Sequence, residues 1–165
     1  MKAKRYVYAG LLALTVLTGC SNAAQPAQHT GHAGHQEHLP NGDLQEATAS
    51  ISQLPTFLDK VDPQIKEVYR IAGENNELLQ SMPCYCGCGE SAGHNHNGNC
   101  FINEVKSDGT VVWDDHGTRC GVCMEIAFVS SKMKKEGKTD KEIRTFIDEH
   151  YKDGYATPTP TPMPS

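Results

Sequence analysis

The chain has no P-loop and no HExxH helix, so common signatures of nucleotide hydrolysis and zinc proteolysis are missing. It is short of positive charge, with 15 Lys and Arg against 20 Asp and Glu. That balance argues against a nucleic-acid partner, whose phosphates need clustered cations. It also lacks a long apolar run. Residues 7–16, interrupted by Gly10 and Thr15, are too short to span a bilayer as a helix. Aromatic residues are sparse at 7%, and the single tryptophan, Trp113, reads as core. The chain does have seven cysteines and eight histidines.

The N-terminus reads as an export signal. Lys2, Lys4 and Arg5 precede the apolar run, and Leu17-Thr18-Gly19-Cys20 matches a lipobox. The expected products are a signal peptide over 1–19 and a lipid-modified Cys20. Lipid chains would then tether the protein to the outer, extracytoplasmic face of a bacterial membrane without a transmembrane helix. Loss of Lys2, Lys4 and Arg5 with the signal takes the formal net charge from −5 to −8. Residues 20–50 read as the lipidated N-terminus and a disordered tether, rich in Ala, Gln, Gly and Pro. Within it His29, His32, His35 and His38 recur every three residues. Such histidines are accessory metal ligands at most, because composition supports them and no preformed cage does.

Five of the other six cysteines fall in two clusters. Cys84, Cys86 and Cys88 stand at i, i+2 and i+4 in PCYCGCG over 83–89. Cys120 and Cys123 form a CxxC after Arg119. A Pro-led, Gly-rich loop can aim several sulfurs at one point. A Cys at a helix N-terminus has its thiolate favoured by the helix dipole. Cys100 lies between the clusters, close after His94 and His96.

Three chemistries fit these residues. Thiolates of Cys84, Cys86, Cys88, Cys120 and Cys123, with Cys100 and His116 as further candidates, suit copper or zinc. His94 and His96 are weaker accessory ligands. Alternatively Cys120 attacks as a thiolate and Cys123 resolves, making a thiol–disulfide redox pair. Third, six cysteines outside the cytoplasm could form three disulfides that staple an interaction module for an extracytoplasmic protein partner. Clustering weighs against staples, because bridges within CxCxC or CxxC close tiny loops and constrain the unfolded chain little. Asp114-Asp115-His116 could be a catalytic carboxylate–His pair, but reads better as a hairpin end with His116 facing the cysteines.

PCYCGC and DDHGTRCGVC, the latter at 114–123, resemble bacterial proteins named for their PCYCGC motif, many of them predicted lipoproteins. The likeness covers about residues 51–156 and implies a location more than a mechanism. RCGVC and the residues after it, about 119–155, also resemble the thiol-oxidoreductase subunit of cytochrome c maturation. There an Arg-Cys-x-x-Cys lies between helices and handles apocytochrome thiols.

The expected fold is α+β: short helices around one β-hairpin, with Cys-rich loops, over residues 51–156. Asp62-Pro63 starts a helix whose apolar face carries Ile65, Val68, Ala72, Leu79 and Met82. Gly73 and Asn75-Asn76 divide it, and Pro83 stops it. Residues 101–106 and 110–114 form the hairpin around a two-residue Asp108-Gly109 turn. That register sets Val105 opposite Val112, Glu104 opposite Trp113 and Cys100 opposite about Gly117. It therefore brings His116, Cys120 and Cys123 towards Cys100. A helix after Cys120 presents Val122, Ile126, Val129 and Met133 and ends at Gly137. Thr139 and Glu142 form a capping box for a last helix that buries Ile143, Phe146, Ile147 and Tyr151. Residues 157–165 read as an exposed, extended Thr/Pro tail.

Overall fold

The computed structural model describes residues 33–165. The signal peptide, Cys20, His29 and His32 lie outside the described residues. The fold class is α+β. Strands β1 (Gln36–His38), β2 (Leu44–Thr48), β3 (Ile102–Val105) and β4 (Val111–Asp114) form one antiparallel sheet in the order β1-β2-β4-β3. Helices α1 (Pro63–Glu74), α2 (Asn76–Gln80), α4 (Gly121–Lys135) and α5 (Asp140–Tyr151) pack beside it, and α3 (Cys88–Ser91) is a single turn in the Cys loop.

The start of α1 follows its local chemistry. The Asp62 side chain accepts from the Gln64 amide at 2.7 Å, and Pro63 occupies the first helical position. The break between α1 and α2 falls at Asn75, whose Nδ2 donates to the Ile71 carbonyl at 2.8 Å and to Ser131 Oγ at 3.1 Å. Gly73 stays inside α1. A Cβ there would lie 3.1 Å from the Trp113 ring, so glycine is what lets this helix approach the sheet. The Thr139–Glu142 capping box is formed on α5.

An aromatic cluster joins sheet to helices. Tyr69 meets Phe57 and Phe101 edge-on, at ring centroids 5.8 and 5.2 Å apart, and lies beside Trp113. The Tyr69 hydroxyl donates to the Asp114 carbonyl at 2.7 Å, and Trp113 Nε1 donates to Thr48 Oγ1 at 2.8 Å. Every polar tip in this apolar layer thus has a partner.

Several expectations need correction. The ordered domain begins before residue 51. Leu39-Pro40-Asn41-Gly42-Asp43-Leu44 turns β1 into β2, with Gly42 at φ +88°. Buried Glu46 then accepts from the Thr56 amide (2.7 Å), Thr56 Oγ1 (2.9 Å), the Phe57 amide (3.3 Å) and Gln36 Nε2 (2.8 Å). The expected single hairpin is therefore extended to four strands.

The β3–β4 loop has three residues, not two. Gly109 lies at φ +89°, its amide bonds the Lys106 carbonyl, and Lys106 donates to Thr110. This is a turn followed by a left-handed glycine, which shifts pairing by one residue. Val105 consequently faces Val111 and Glu104 faces Val112, and an irregularity sets Ile102 opposite Trp113. In α4 the fully buried face is Cys123, Ile126, Ala127, Ser130 and Ser131, with Val122, Val129 and Met133 at its margin. Phe146 on α5 is 44% exposed and stacks on His150 instead of entering the core.

The residue 157–165 segment is not a free tail. Its Thr159 is buried, and the Thr159 amide donates to the Cys84 carbonyl at 3.1 Å. The Cys84 amide donates back to Thr159 Oγ1 at 2.9 Å. No helix among the described residues is long and apolar enough to cross a membrane.

Candidate metal centre

Three pieces of chain deliver the sulfurs. The Pro83–Gly89 loop supplies Cys84, Cys86 and Cys88. Gly87 at φ +84° makes the reversal that turns Cys88 back toward Cys84. A short helical turn, Asn97–Cys100, supplies Cys100 immediately before β3. Beyond β4, the turn Asp115–Arg119 leads into α4, whose first turn carries Cys120 and Cys123. Gly117 permits this return. A Cβ on it would sit 2.8 Å from the Cys100 carbonyl oxygen and 2.7 Å from the Phe101 ring. The convergence expected from the hairpin therefore holds despite the shifted register.

The six cysteines among the described residues are free thiols, four of them buried, with Cys86 and Cys120 partly exposed. Sulfur contacts run through the group: Cys100–Cys123 at 2.9 Å, Cys84–Cys88 at 3.0 Å and Cys84–Cys100 at 3.3 Å. Cys84–Cys123 and Cys86–Cys123 are each at 3.4 Å, and Cys88–Cys100 is at 3.7 Å. Every one is far longer than a disulfide bond of about 2.05 Å. The Sγ atoms of Cys84, Cys86, Cys88 and Cys123 all lie within 4.8 Å of one another. A tetrahedral ion with metal–sulfur bonds of about 2.3 Å holds its sulfurs about 3.8 Å apart, so this spacing suits one. Cys120 caps α4, its sulfur accepting the Cys123 amide at 3.4 Å.

The histidines divide. His94 is buried, with Nδ1 3.4 Å from Cys100 Sγ, and it joins Cys88 and Cys100 in a second donor group. His116 packs edge-on to His94 at 4.7 Å between ring centroids, and its Nδ1 meets both Asp43 carboxylate oxygens at 3.1 and 3.2 Å. Asp43, His94 and His116 form a further donor group, and Asp43, Asp114 and Asp115 another. His96 Nδ1 is buried without a hydrogen-bond partner, yet His96 belongs to none of the donor groups. Nor do His35 and His38. They sit on exposed extended chain, where residues three apart point to opposite faces.

The charges follow the packing. Contacts from Cys100 first, then from Cys120 at Cys86 and from Cys123 at Cys88, hold the Cys86 and Cys88 thiols well below the ordinary thiol range. Contacts with Cys100 and Cys120 push Cys123 well above it. The Cys86 and Cys88 sulfurs facing His116, aided by Asp43, raise its imidazole to about 11 against the opposing effect of burial. Arg119 also pairs with Asp43 and, at 2.8 Å, with Asp115. Thiolate character at Cys86 and Cys88 is thus balanced by His116 and the Arg119–Asp43 network. His116 sits between the two sets, consistent with its expected orientation toward the cysteines.

Asp43, Arg144, Asn97 and Thr159 join the residues expected at the site. Asn97 Nδ2 donates to the Cys123 carbonyl at 3.2 Å. Arg144 Nε donates to Asp148 Oδ1 at 2.8 Å, and its Nη1 donates to the carbonyls of Ser81, Thr161 and Pro162. Asp148 in turn accepts the Tyr85 hydroxyl at 2.6 Å, and Tyr85 stacks on Tyr151. The Cys loop is thereby clamped between α5 and the C-terminal strap. Asn41-Gly42 is a local turn signal for the hairpin that carries Asp43, and no comparable signal stands beside the other three.

Clustered Cys and His of this kind could hold a metal ion or form redox groups. No curated protein and no solved structure matches the chain. The likeness of residues 119–155 to a thiol-oxidoreductase subunit has no support from these comparisons. A family model described as "Protein of unknown function with PCYCGC motif" matches residues 10–164, a span that takes in β1, β2 and most of the C-terminal strap. The chain belongs to that PCYCGC-motif family.

Proposed function

We propose that this protein holds a soft transition metal, copper or zinc, while anchored through lipid on Cys20 to the extracytoplasmic face of the membrane. The observation that carries the metal reading is the gathering of six free sulfurs, from segments far apart in sequence, into one largely buried cluster. Cys84, Cys86, Cys88 and Cys123 are its central ligands, with Cys100, Cys120 and His116 around them. Soft sulfur donors select Cu(I) and Zn(II) over hard cations. The lipobox and the apolar run before it support the anchor, and the acidic surface suits exchange of cations with a protein partner there.

The redox reading is weaker. An attacking thiol needs a ready thiolate and a resolving partner within reach. Cys123, the expected resolving thiol, is fully buried and pushed up by contacts with Cys100 and Cys120.

Native mass spectrometry of the full chain, released from membranes in detergent without chelator and paired with a free-thiol count, tests the proposal. Bound copper or zinc with free thiols supports it. A metal-free protein with all six cysteines oxidised overturns it. Retention of membrane attachment by Cys20→Ala would overturn the anchor.

A further inference from the structure

One tetrahedral ion uses four ligands, and the cluster offers more donors than that. Cys84, Cys86, Cys88 and Cys123 complete one such set. Cys100 and His94 stand outside it, and both are buried. The donor atoms of Cys88, Cys100 and His94 lie within 4.8 Å of one another. Cys88 is common to both groups.

A buried free Cys is often only a small apolar residue. Cys100 does not fit that description. Its sulfur touches those of Cys84, Cys88 and Cys123 and the Nδ1 of His94. The Cys100–Cys123 separation of 2.9 Å is shorter than ordinary packing contacts, about 3.5–4.0 Å even between smaller carbon atoms. An apolar residue would be better served by carbon neighbours. A polar ring nitrogen aimed at a sulfur, both out of water, instead makes half of a coordination shell. The sulfurs of a deprotonated cluster also repel one another, and one divalent ion offsets only two thiolate charges. A second cation between Cys88, Cys100 and His94 would relieve that excess.

We propose a second metal position in this protein: Cys88, Cys100 and His94 hold a second soft cation, with the Cys88 sulfur bridging it to the ion held by Cys84, Cys86, Cys88 and Cys123. The site has two sulfurs and one imidazole nitrogen. Three protein ligands leave room for a fourth, such as water or a donor from a partner. His94 also has an outer support. A carboxylate oxygen of Asp43 and a ring nitrogen of His116 lie within 4.8 Å of its ring nitrogen, the kind of neighbours that orient a ligating histidine. The centre is then binuclear, a tighter four-sulfur position beside a more open three-donor one.

The proposal rests on the metal reading above, and its stoichiometry separates the two. Zinc(II) is titrated into the reduced, metal-free full chain in detergent, with bound ions counted by native mass spectrometry and folding followed by circular dichroism. Two ions per chain are expected for the wild type, the second bound more weakly. His94→Gln should weaken the second ion by about tenfold or more and leave the first in place. Cys100→Ser should do the same. Because Cys100 is a core residue, the wild-type count and His94→Gln decide the matter if Cys100→Ser fails to fold. Saturation of the wild type at one ion overturns the second position and leaves the four-sulfur reading standing. No bound ion overturns both. Two ions retained at unchanged affinity in a folded His94→Gln protein overturn the assignment of the second position.

Discussion

Arg144 tests whether the C-terminal strap is part of the domain. It is 9% exposed, and its guanidinium joins three parts of the chain. Nε holds Asp148 at 2.8 and 2.9 Å, while Nη1 holds Ser81 O at 2.9 Å, Pro162 O at 3.0 Å and Thr161 O at 3.2 Å. Arg144→Ala would strip Asp148 of its cation and leave these carbonyls without that donor. Removing one member of a buried ion pair costs about 3–5 kcal/mol. The Asp148 side chain is 31% exposed, and Tyr85 still donates to it, so water and Tyr85 recover part of that. The carbonyls on the strap can turn to solvent once the strap lifts. A loss of about 3 kcal/mol follows, with Arg144→Lys losing about half because it keeps the charge and forfeits the fork. Urea unfolding reads this directly. With a slope of about 2 kcal/mol per molar, the Arg144→Ala midpoint should fall by about 1.5 M. Hydrogen exchange of the Cys84 and Thr159 amides should accelerate in the same variant. A midpoint shift below about 0.5 M with those amides still protected would refute the idea that Arg144 fastens the strap over the Cys loop.

Three other substitutions probe the frame around the site. Thr48→Val keeps the shape but removes the acceptor for Trp113 Nε1, and should cost about 1–3 kcal/mol in chemical denaturation. Gly117→Ala would drive a Cβ into the Cys100 carbonyl and the Phe101 ring. It should lower the metal content of purified protein and destabilise it by about 1–3 kcal/mol, the usual range for overpacking. Thr139→Ala removes the cap of α5 and should cost about 1 kcal/mol, seen as a shift in thermal midpoint without change in metal content.

What was readable from sequence had local causes. Asp62-Pro63, Gly137 and the Thr139–Glu142 pair each set an element boundary through neighbours a few residues away. The hairpin between Cys100 and Cys120 was readable because Asp108-Gly109 marks a turn. The shifted register was not, because two- and three-residue loops share that dipeptide and differ in how the left-handed glycine is used. β1 escaped notice because three residues of Gln-Glu-His carry no apolar alternation. Asp43 has no local feature that sets it apart from other acids in a polar stretch. Its value comes from His116 and Arg119, partners 73 and 76 residues away. The strap was misread for a related reason. Proline-rich sequence has few amide donors and so reads as solvated, but its carbonyls remain strong acceptors, and here Arg144 supplies the donor.

The division of the core sets how metal and folding are coupled. On the sheet side, Tyr69, Phe101, Trp113 and Val111 are fully buried among aromatic and aliphatic neighbours, with hydroxyl and indole groups satisfied by backbone and Thr48. None of those bonds passes through sulfur. The stretch from Cys84 to Asn99 is different. It has one turn of α-helix and a short helical turn, and it is held by sulfur contacts, the strap and Asn97. A small zinc domain loses its entire fold with its metal because the metal is its core. Here the same core also holds an apolar layer whose hydrogen bonds involve no sulfur. Chelation of the metal-bound protein should therefore leave far-ultraviolet circular dichroism close to native, while amide exchange quickens across residues 84–100 and the strap. Global unfolding on chelation, with β4 exchanging as fast as the Cys loop, would show instead that the sulfurs organise the sheet as well.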